Sequence, residues 1–239
     1  SGYDTHCLSS QPMCTINIKD SNITAQGGKY AAGVGTGYHM AALSGEISNS
    51  EVNAKPGEEY YKDTYTLAMG VGFGVVDPAR EGQQTDSYIK YNGETINIGN
   101  PACFVNGNDA LDSAIKGGAE TIYLGEGTYI IPDSAKGKTL TIVGNGNTKV
   151  AVQDDGSYEG CDYSLDGATV VFEGITINTD STIYTGYARL NATYKNCTIN
   201  GTYTLYGDSK FENCTFNVSG DVYNIWTWGA PNATFNNCT

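Results

Sequence analysis

Tyr194-Lys195-Asn196-Cys197-Thr198-Ile199-Asn200 is followed by Phe211-Glu212-Asn213-Cys214-Thr215-Phe216-Asn217 and by Phe235-Asn236-Asn237-Cys238-Thr239. A degenerate earlier form stands at Phe172-Glu173-Gly174-Ile175-Thr176-Ile177-Asn178. Successive copies begin 22, 17 and 24 residues apart, the period of a solenoid coil and too irregular for a propeller blade. Within a copy, the period of two along a strand sends the aromatic, the Cys and the last apolar residue inward, and Lys195 or Glu212 and the Thr outward. The Asn or Gly interrupts that alternation. Both residue types tolerate the left-handed backbone, so this position is expected to be a corner where the chain turns. One coil cannot bury its apolar face alone, so copies must stack aromatic on aromatic and Cys on Cys. The competing reading is a β-sandwich whose antiparallel strands share the phrase by accident.

The composition agrees with many short strands. The chain has 239 residues with 31 Gly, 18 Tyr, 6 Pro and 16% charged residues, which disfavours disorder and long helices. Twenty-six acidic against 13 basic residues give a formal charge of −13, which repels phosphate backbones and anionic membrane surfaces, so nucleic acid is excluded as a partner class. No run of about 18 apolar residues is present to span a bilayer, so no membrane insertion is expected of this stretch. The first residues do not read as a signal peptide, and the last copy stops at Thr239 before the apolar residue and Asn of the others. The expectation is a piece of a longer, exported, multi-domain chain.

Seven cysteines are spread along the chain without a CxxC pair, with only His6 and His39 beside them, so neither a metal nor a cofactor is expected. Cys197, Cys214 and Cys238 read as reduced packing residues. Cys7 with Cys14 and Cys103 with Cys161 are open pairings that sequence does not fix.

A second repeat has different wording. Ile18 to Ala25 matches Ile47 to Ala54 at an offset of 29, and Gly33-Val34-Gly35-Thr36-Gly37 matches Gly70-Val71-Gly72-Phe73-Gly74 at an offset of 37. The difference of eight is an insertion around Glu58 to Tyr65, which would protrude as a loop. A third copy is expected to begin at Thr95-Ile96-Asn97-Ile98, and residues 75 to 95 read as a linker or extended loop. The Gly-Val-Gly phrases lack the spacing of a phosphate-binding loop and recur with the coil. They mark places where backbones approach closely.

Asn108 to Gly118 is the clearest helix. Asn108 is expected to cap it, Gly117 to end it, and Ala110, Leu111, Ala114 and Ile115 to form its apolar stripe. It is followed by Thr121 to Leu124, Gly127-Thr128-Tyr129 and Leu140 to Gly146. A helix ending in Gly-Gly, then a strand, Gly-Thr-Tyr and an apolar strand closing on Gly-x-Gly resembles the opening of right-handed parallel β-helix proteins of the pectate-lyase-like superfamily, over residues 104 to 239. That resemblance implies an all-β fold in which the helix caps the solenoid, and it implies no particular activity. Residues 14 to 99 more loosely resemble glycine-rich solenoid repeats of surface proteins from gut Firmicutes. The expected organisation is a glycine-rich β-repeat region over 1–100 and a parallel β-helix domain over 101–239.

Two phrases, Asn178-Thr179-Asp180 and Gln153-Asp154-Asp155, resemble the carboxylate motifs of polygalacturonase-type β-helix hydrolases, which need paired carboxylates on one face. Their order is reversed here, and the family's Gly-His-Gly and Arg-Ile-Lys phrases are absent. Arg189 is the candidate base for a lyase, against the simpler reading of a surface side chain stacked on tyrosine. Asp154, Asp155, Asp180 and Arg189 are therefore the catalytic candidates, and a carbohydrate-active lyase or hydrolase is the alternative function. The favoured reading is a non-catalytic, adhesin-like surface module, extracellular and linked to the cell wall, that binds a host protein or glycan such as mucin or immunoglobulin. Its candidate ligand-binding residues are Tyr60, Tyr61 and Tyr65 in one insertion, Tyr184 and Tyr187 in a second, and Tyr223, Trp226 and Trp228 in a third. Strand alternation would set the two indoles side by side, on a platform or as filling for a widened coil. A purely structural stalk is the remaining option.

Overall fold

The computed structural model describes residues 14–37, 43–57, 70–72, 87–98, 102–151, 165–179, 189–217, 225–229 and 231–239. Strands are their dominant element, joined by turns, with one α-helix and a 3-10 turn at Asp133–Ala135. The chain divides into two compact units, Ser1–Gly125 and Glu126–Thr239.

In the second unit the repeated phrase builds parallel ladders. Thr139–Val143, Thr169–Glu173, Asn191–Lys195, Ser209–Glu212 and Ala233–Asn236 pair in that order. Gly127–Tyr129, Thr148–Ala151, Thr176–Asn178, Thr198–Asn200 and Thr215–Asn217 form the next ladder. Tyr203–Leu205 pairs with Ile225–Thr227. The registers join Phe172 to Tyr194, Tyr194 to Phe211 and Phe211 to Phe235, the same equivalences the repeat predicts. Parallel stacking in register is compatible with a solenoid, and it places like on like. The rings of Phe172 and Tyr194, Tyr194 and Phe211, and Phe211 and Phe235 stack at 5.3, 4.6 and 5.0 Å with interplanar angles of 13, 8 and 7°. Alternation along the strand explains why Val170 and Phe172, or Ala192 and Tyr194, are buried while the residues between them face out.

The interrupting residue does take the left-handed backbone. Asn196, Asn213 and Asn237 have φ of 53, 54 and 50°, and Gly174 has 63°. For most residues that conformation costs about 1–2 kcal/mol. Asn196→Ala is therefore expected to lower stability by about 1 kcal/mol, whereas Asn196→Gly leaves it within about 0.5 kcal/mol. Chemical denaturation of the two variants checks this; equal losses would show that the corner conformation is not what the Asn supplies.

The first unit uses the same device with other residues. Cys14–Lys19, Leu43–Ser48 and Tyr88–Tyr91 pair in parallel, and Asn22–Gln26 pairs with Glu51–Lys55. Ile18 sits opposite Ile47 and Ala25 opposite Ala54, as the offset of 29 requires. Val34–Gly35 pairs with Val71–Gly72 at the offset of 37, so the eight extra residues lie between these strands. Asp20, Asn49 and Asn92 turn the corners at φ of 48, 45 and 47°, and the Asn49 amide donates to Asp20 Oδ1 at 2.7 Å. The stacked glycines mark a close approach: a Cβ on Gly35, at φ 146°, would stand 1.9 Å from the Gly72 carbonyl oxygen. Ile18, Leu43, Ile47, Val52, Val71, Ile89, Tyr91 and Phe104 form the core.

Two expectations are corrected here. The third copy is Tyr88–Tyr91, inside the expected linker, while Glu94–Asn97 runs back antiparallel along it. The cause is Asn92-Gly93, whose φ values of 47 and 93° make the tight turn that reverses a strand. Residues 75 to 86 of that linker lie outside the described residues. The helix, Asn108–Lys116, takes Gly107 as its N-cap rather than Asn108, which is its first helical residue. Its stripe is as expected: Ala110, Leu111, Ala114 and Ile115 are buried, packing the helix against Glu51–Lys55 and Ala102–Val105 within the first unit. Of the cysteines whose pairing the sequence leaves open, Cys103 is a free buried thiol; Cys161, Cys7, His6 and His39 lie outside the described residues.

Candidate functional site

Of the aromatic candidates, Trp226 and Trp228 are described; Tyr60, Tyr61, Tyr65, Tyr184, Tyr187 and Tyr223 lie outside the described residues. The indole-bearing strand Ile225–Thr227 is laid in register on Tyr203–Leu205, with Trp226 opposite Thr204. All three residues of the supporting strand are buried. Tyr203 is locked from below, its hydroxyl 2.7 Å from that of Tyr194 and the two rings edge to face at 5.9 Å. The Trp228 backbone N–H donates to the Leu205 carbonyl at 3.0 Å, which fixes the chain where the second indole begins. Trp228 is 47% exposed, while Trp226 is half-buried and its Nε1 is shielded from solvent. The expected pair of equivalent indoles is therefore divided: one packs and one is presented. Phe235, on the outer strand of the aromatic stack, is likewise 46% exposed.

Arg189 adopts φ 54° and holds Asp166 at 3.2 Å, with both side chains exposed. Such a pair in water contributes little to stability, and its guanidinium is bound to a neighbouring carboxylate rather than desolvated in a cleft. Asp154, Asp155 and Asp180 lie outside the described residues. Among the described residues no three His, Cys, Asp or Glu converge to hold a metal ion. No helix among them is long and apolar enough to cross a membrane.

A polar surface escaped the sequence reading. The outward residues of the middle ladder form a column of Thr176, Thr198 and Thr215 and a parallel column of Asn178, Asn200 and Asn217. Asn217 Nδ2 donates to Asn200 Oδ1 at 3.0 Å, and Asn200 Nδ2 to Asn178 Oδ1 at 2.9 Å. The signal was present as Thr-Ile-Asn, Thr-Ile-Asn and Thr-Phe-Asn, but it was read for its inward residue alone. On the neighbouring ladder Glu173, Lys195 and Glu212 share one outward row, so opposite charges face across strands. The Lys210 ammonium beside Glu212 holds that carboxyl below its usual range.

The cysteine column runs along the same stack. Cys197 and Cys214 are each 1% exposed and Cys238 is partly exposed. Each thiol points at the carbonyl of the aromatic one rung earlier: Cys197 to Phe172 at 3.4 Å, Cys214 to Tyr194 at 3.4 Å, Cys238 to Phe211 at 3.6 Å. The thiols also contact one another. Donation from Cys197 lowers Cys214 below the usual thiol range, and the same contact, with burial, raises Cys197.

Comparisons with protein-family models, with curated proteins and with solved structures each returned no match.

Proposed function

We propose that this chain folds as a right-handed parallel β-helix and serves as a non-catalytic extracellular module of a bacterial surface, binding a host protein or glycan through aromatic residues on its insertions. The in-register parallel ladders and left-handed corner residues support the helical winding, whose hand follows from the strong preference of parallel crossovers. The observation that carries the binding reading is Trp228, a large exposed aromatic directly after the strand Ile225–Thr227, whose supporting strand is fully buried. A rigid indole on a solenoid flank presents a flat apolar face to a sugar ring or an apolar side chain at little ordering cost. The uncharged Thr and Asn columns extend a polar, flat surface of the kind that hydroxyl groups recognise. The net charge of −13 favours neutral or basic ligands over acidic ones.

The test is a screen of the chain against secreted host glycoproteins, immunoglobulins and immobilised glycans, followed by Trp228→Ala on any ligand found. The variant is expected to weaken binding by tenfold or more, with stability changed by less than about 0.5 kcal/mol, because an exposed side chain away from the core contributes little to folding. Release of products from pectin, mucin or plant polysaccharide would instead establish a carbohydrate-active enzyme. Binding unaffected by Trp228→Ala would remove the indole from the interface, and no binding at all would leave the stalk.

A further inference from the structure

We propose that Asn92 is a self-modification site, at which the Gly93 backbone nitrogen displaces the side-chain amide of Asn92 and the turn passes through a succinimide to an isoaspartyl or aspartyl residue. The sequence holds four Asn-Gly pairs, Asn92-Gly93, Asn106-Gly107, Asn145-Gly146 and Asn200-Gly201. In each, the nitrogen that follows the asparagine belongs to a residue with no Cβ to obstruct its approach to Cγ. The structure treats the four pairs differently.

Asn106 is buried, 3% exposed, and Gly107 beside it is the N-cap of the helix. Gly146 N–H donates to the Gly174 carbonyl at 3.1 Å, and Gly201 N–H to the Asn217 carbonyl at 3.0 Å, so both nitrogens are held in hydrogen bonds between rungs. The Asn200 amide is also held, between Asn217 and Asn178. Gly93 is different. Its N–H has no acceptor among the described residues, it and Asn92 are exposed, and the space where a Cβ would stand is open. The neighbouring corner acts on the other reactant: the Asn49 backbone N–H donates to Asn92 Oδ1 at 3.0 Å. That donor is aimed at the oxygen on which charge develops when the Cγ carbonyl is attacked, which lowers the barrier to a tetrahedral intermediate. A free nucleophile and a polarised electrophile therefore stand on adjacent residues of one turn.

The Gly93 nitrogen gives up its proton to water and attacks Asn92 Cγ. The bond from Cγ to the side-chain nitrogen breaks, and ammonia leaves with a proton taken back from solvent. Water then opens the succinimide. Cleavage at the main-chain carbonyl leaves the backbone running through Cγ as an isoaspartyl residue, and cleavage at Cγ leaves an aspartyl residue. One water is consumed, one ammonia is released, and nothing is oxidised or reduced. The isoaspartyl product adds a methylene to the backbone of the turn that sets Tyr91 opposite Glu94. Turn length fixes hairpin register, so the added carbon displaces Glu94–Asn97 and with it the buried Ile96 and Ile98. Modification of Asn92 is thus a slow, one-way timer that loosens the last strand of the first ladder.

The test incubates the native full chain at mildly alkaline pH and maps its peptides by mass spectrometry, with an isoaspartyl methyltransferase assay for the rearranged product. Deamidation at Asn92 is expected to run about tenfold or more faster than at Asn106, Asn145 or Asn200. In urea the four rates are expected to converge, which assigns the selection to the fold. The isoaspartyl fraction is expected to exchange its Ile96 amide hydrogen faster than the unmodified chain. Asn145 or Asn200 reacting as fast as Asn92 in the native chain, or Asn92 staying intact there while it deamidates in urea, would overturn the site. Unchanged exchange at Ile96 would overturn the timer. The native arm needs no variant to fold.

Discussion

Phe211→Ala is expected to destabilise the second unit by about 3–5 kcal/mol, the range for truncating a buried phenylalanine. Phe211 is fully buried, held face to face between Tyr194 at 4.6 Å and Phe235 at 5.0 Å, with the edge of Phe216 at 5.2 Å. Its removal leaves a ring-shaped gap in the stack. The strands on either side cannot close that gap, because their backbone hydrogen bonds fix the rung spacing. A loss of this size is a large part of the roughly 5–15 kcal/mol that keeps a domain folded. Phe235→Ala is the control. It removes the same ring from the same column, but at a site 46% exposed, and is expected to cost about 1 kcal/mol or less. Urea denaturation of both variants measures the difference. Equal losses would mean that the aromatic column is not the source of the stack's stability.

Raising the pH above about 9 is expected to destabilise the protein steeply. Burial pushes the Cys103 thiol from 9.0 up to about 12, and burial likewise raises the Tyr203 phenol. Above the unfolded value of each group the unfolded chain has lost a proton that the folded chain keeps. The folded state then holds more protons, and stability falls with rising pH until the folded value is reached. For Cys103 the slope is about 1.4 kcal/mol per pH unit, or about 4 kcal/mol across the window from 9 to 12. Tyr203 adds its own decline from about pH 10 upward. Thermal unfolding from pH 8 to 11 should show Tm falling in wild type, with Cys103→Ala flattening the decline of the first unit and Tyr203→Phe that of the second. Parallel declines in wild type and variants would assign the effect to other groups.

The parts of this fold legible in the sequence are those that a stacked rung must repeat. The aromatic of Phe172, Tyr194, Phe211 and Phe235, the corner of Gly174, Asn196, Asn213 and Asn237, and the offsets of 29 and 37 all appear in the structure at the same residues. The misreading at Thr95 has a simple cause. Thr95-Ile96-Asn97-Ile98 repeats the residues of an earlier strand, yet Asn92-Gly93 before it decides the direction of the chain, and the turn outweighs the wording. The candidate site was less legible. Trp226 and Trp228 are spaced as two residues of one strand, but the strand ends at Thr227: Trp226 is laid opposite Thr204 and half-buried, while Trp228 emerges beyond it. Nothing in a period of two distinguishes them.

By itself the sequence determined that the chain is built from strands, which residues face inward, where most rungs correspond, and which residues turn the corners. Those properties follow from side-chain alternation and from the backbone tolerance of Asn and Gly, which are local. Only the tertiary structure decided that Tyr88–Tyr91 rather than Thr95 continues the first ladder, that Asn178, Asn200 and Asn217 join amide to amide, and that Trp228 is presented while Trp226 packs. Each of these depends on what the neighbouring rung places beside a residue, and that neighbour lies some 17 to 44 positions away along the chain.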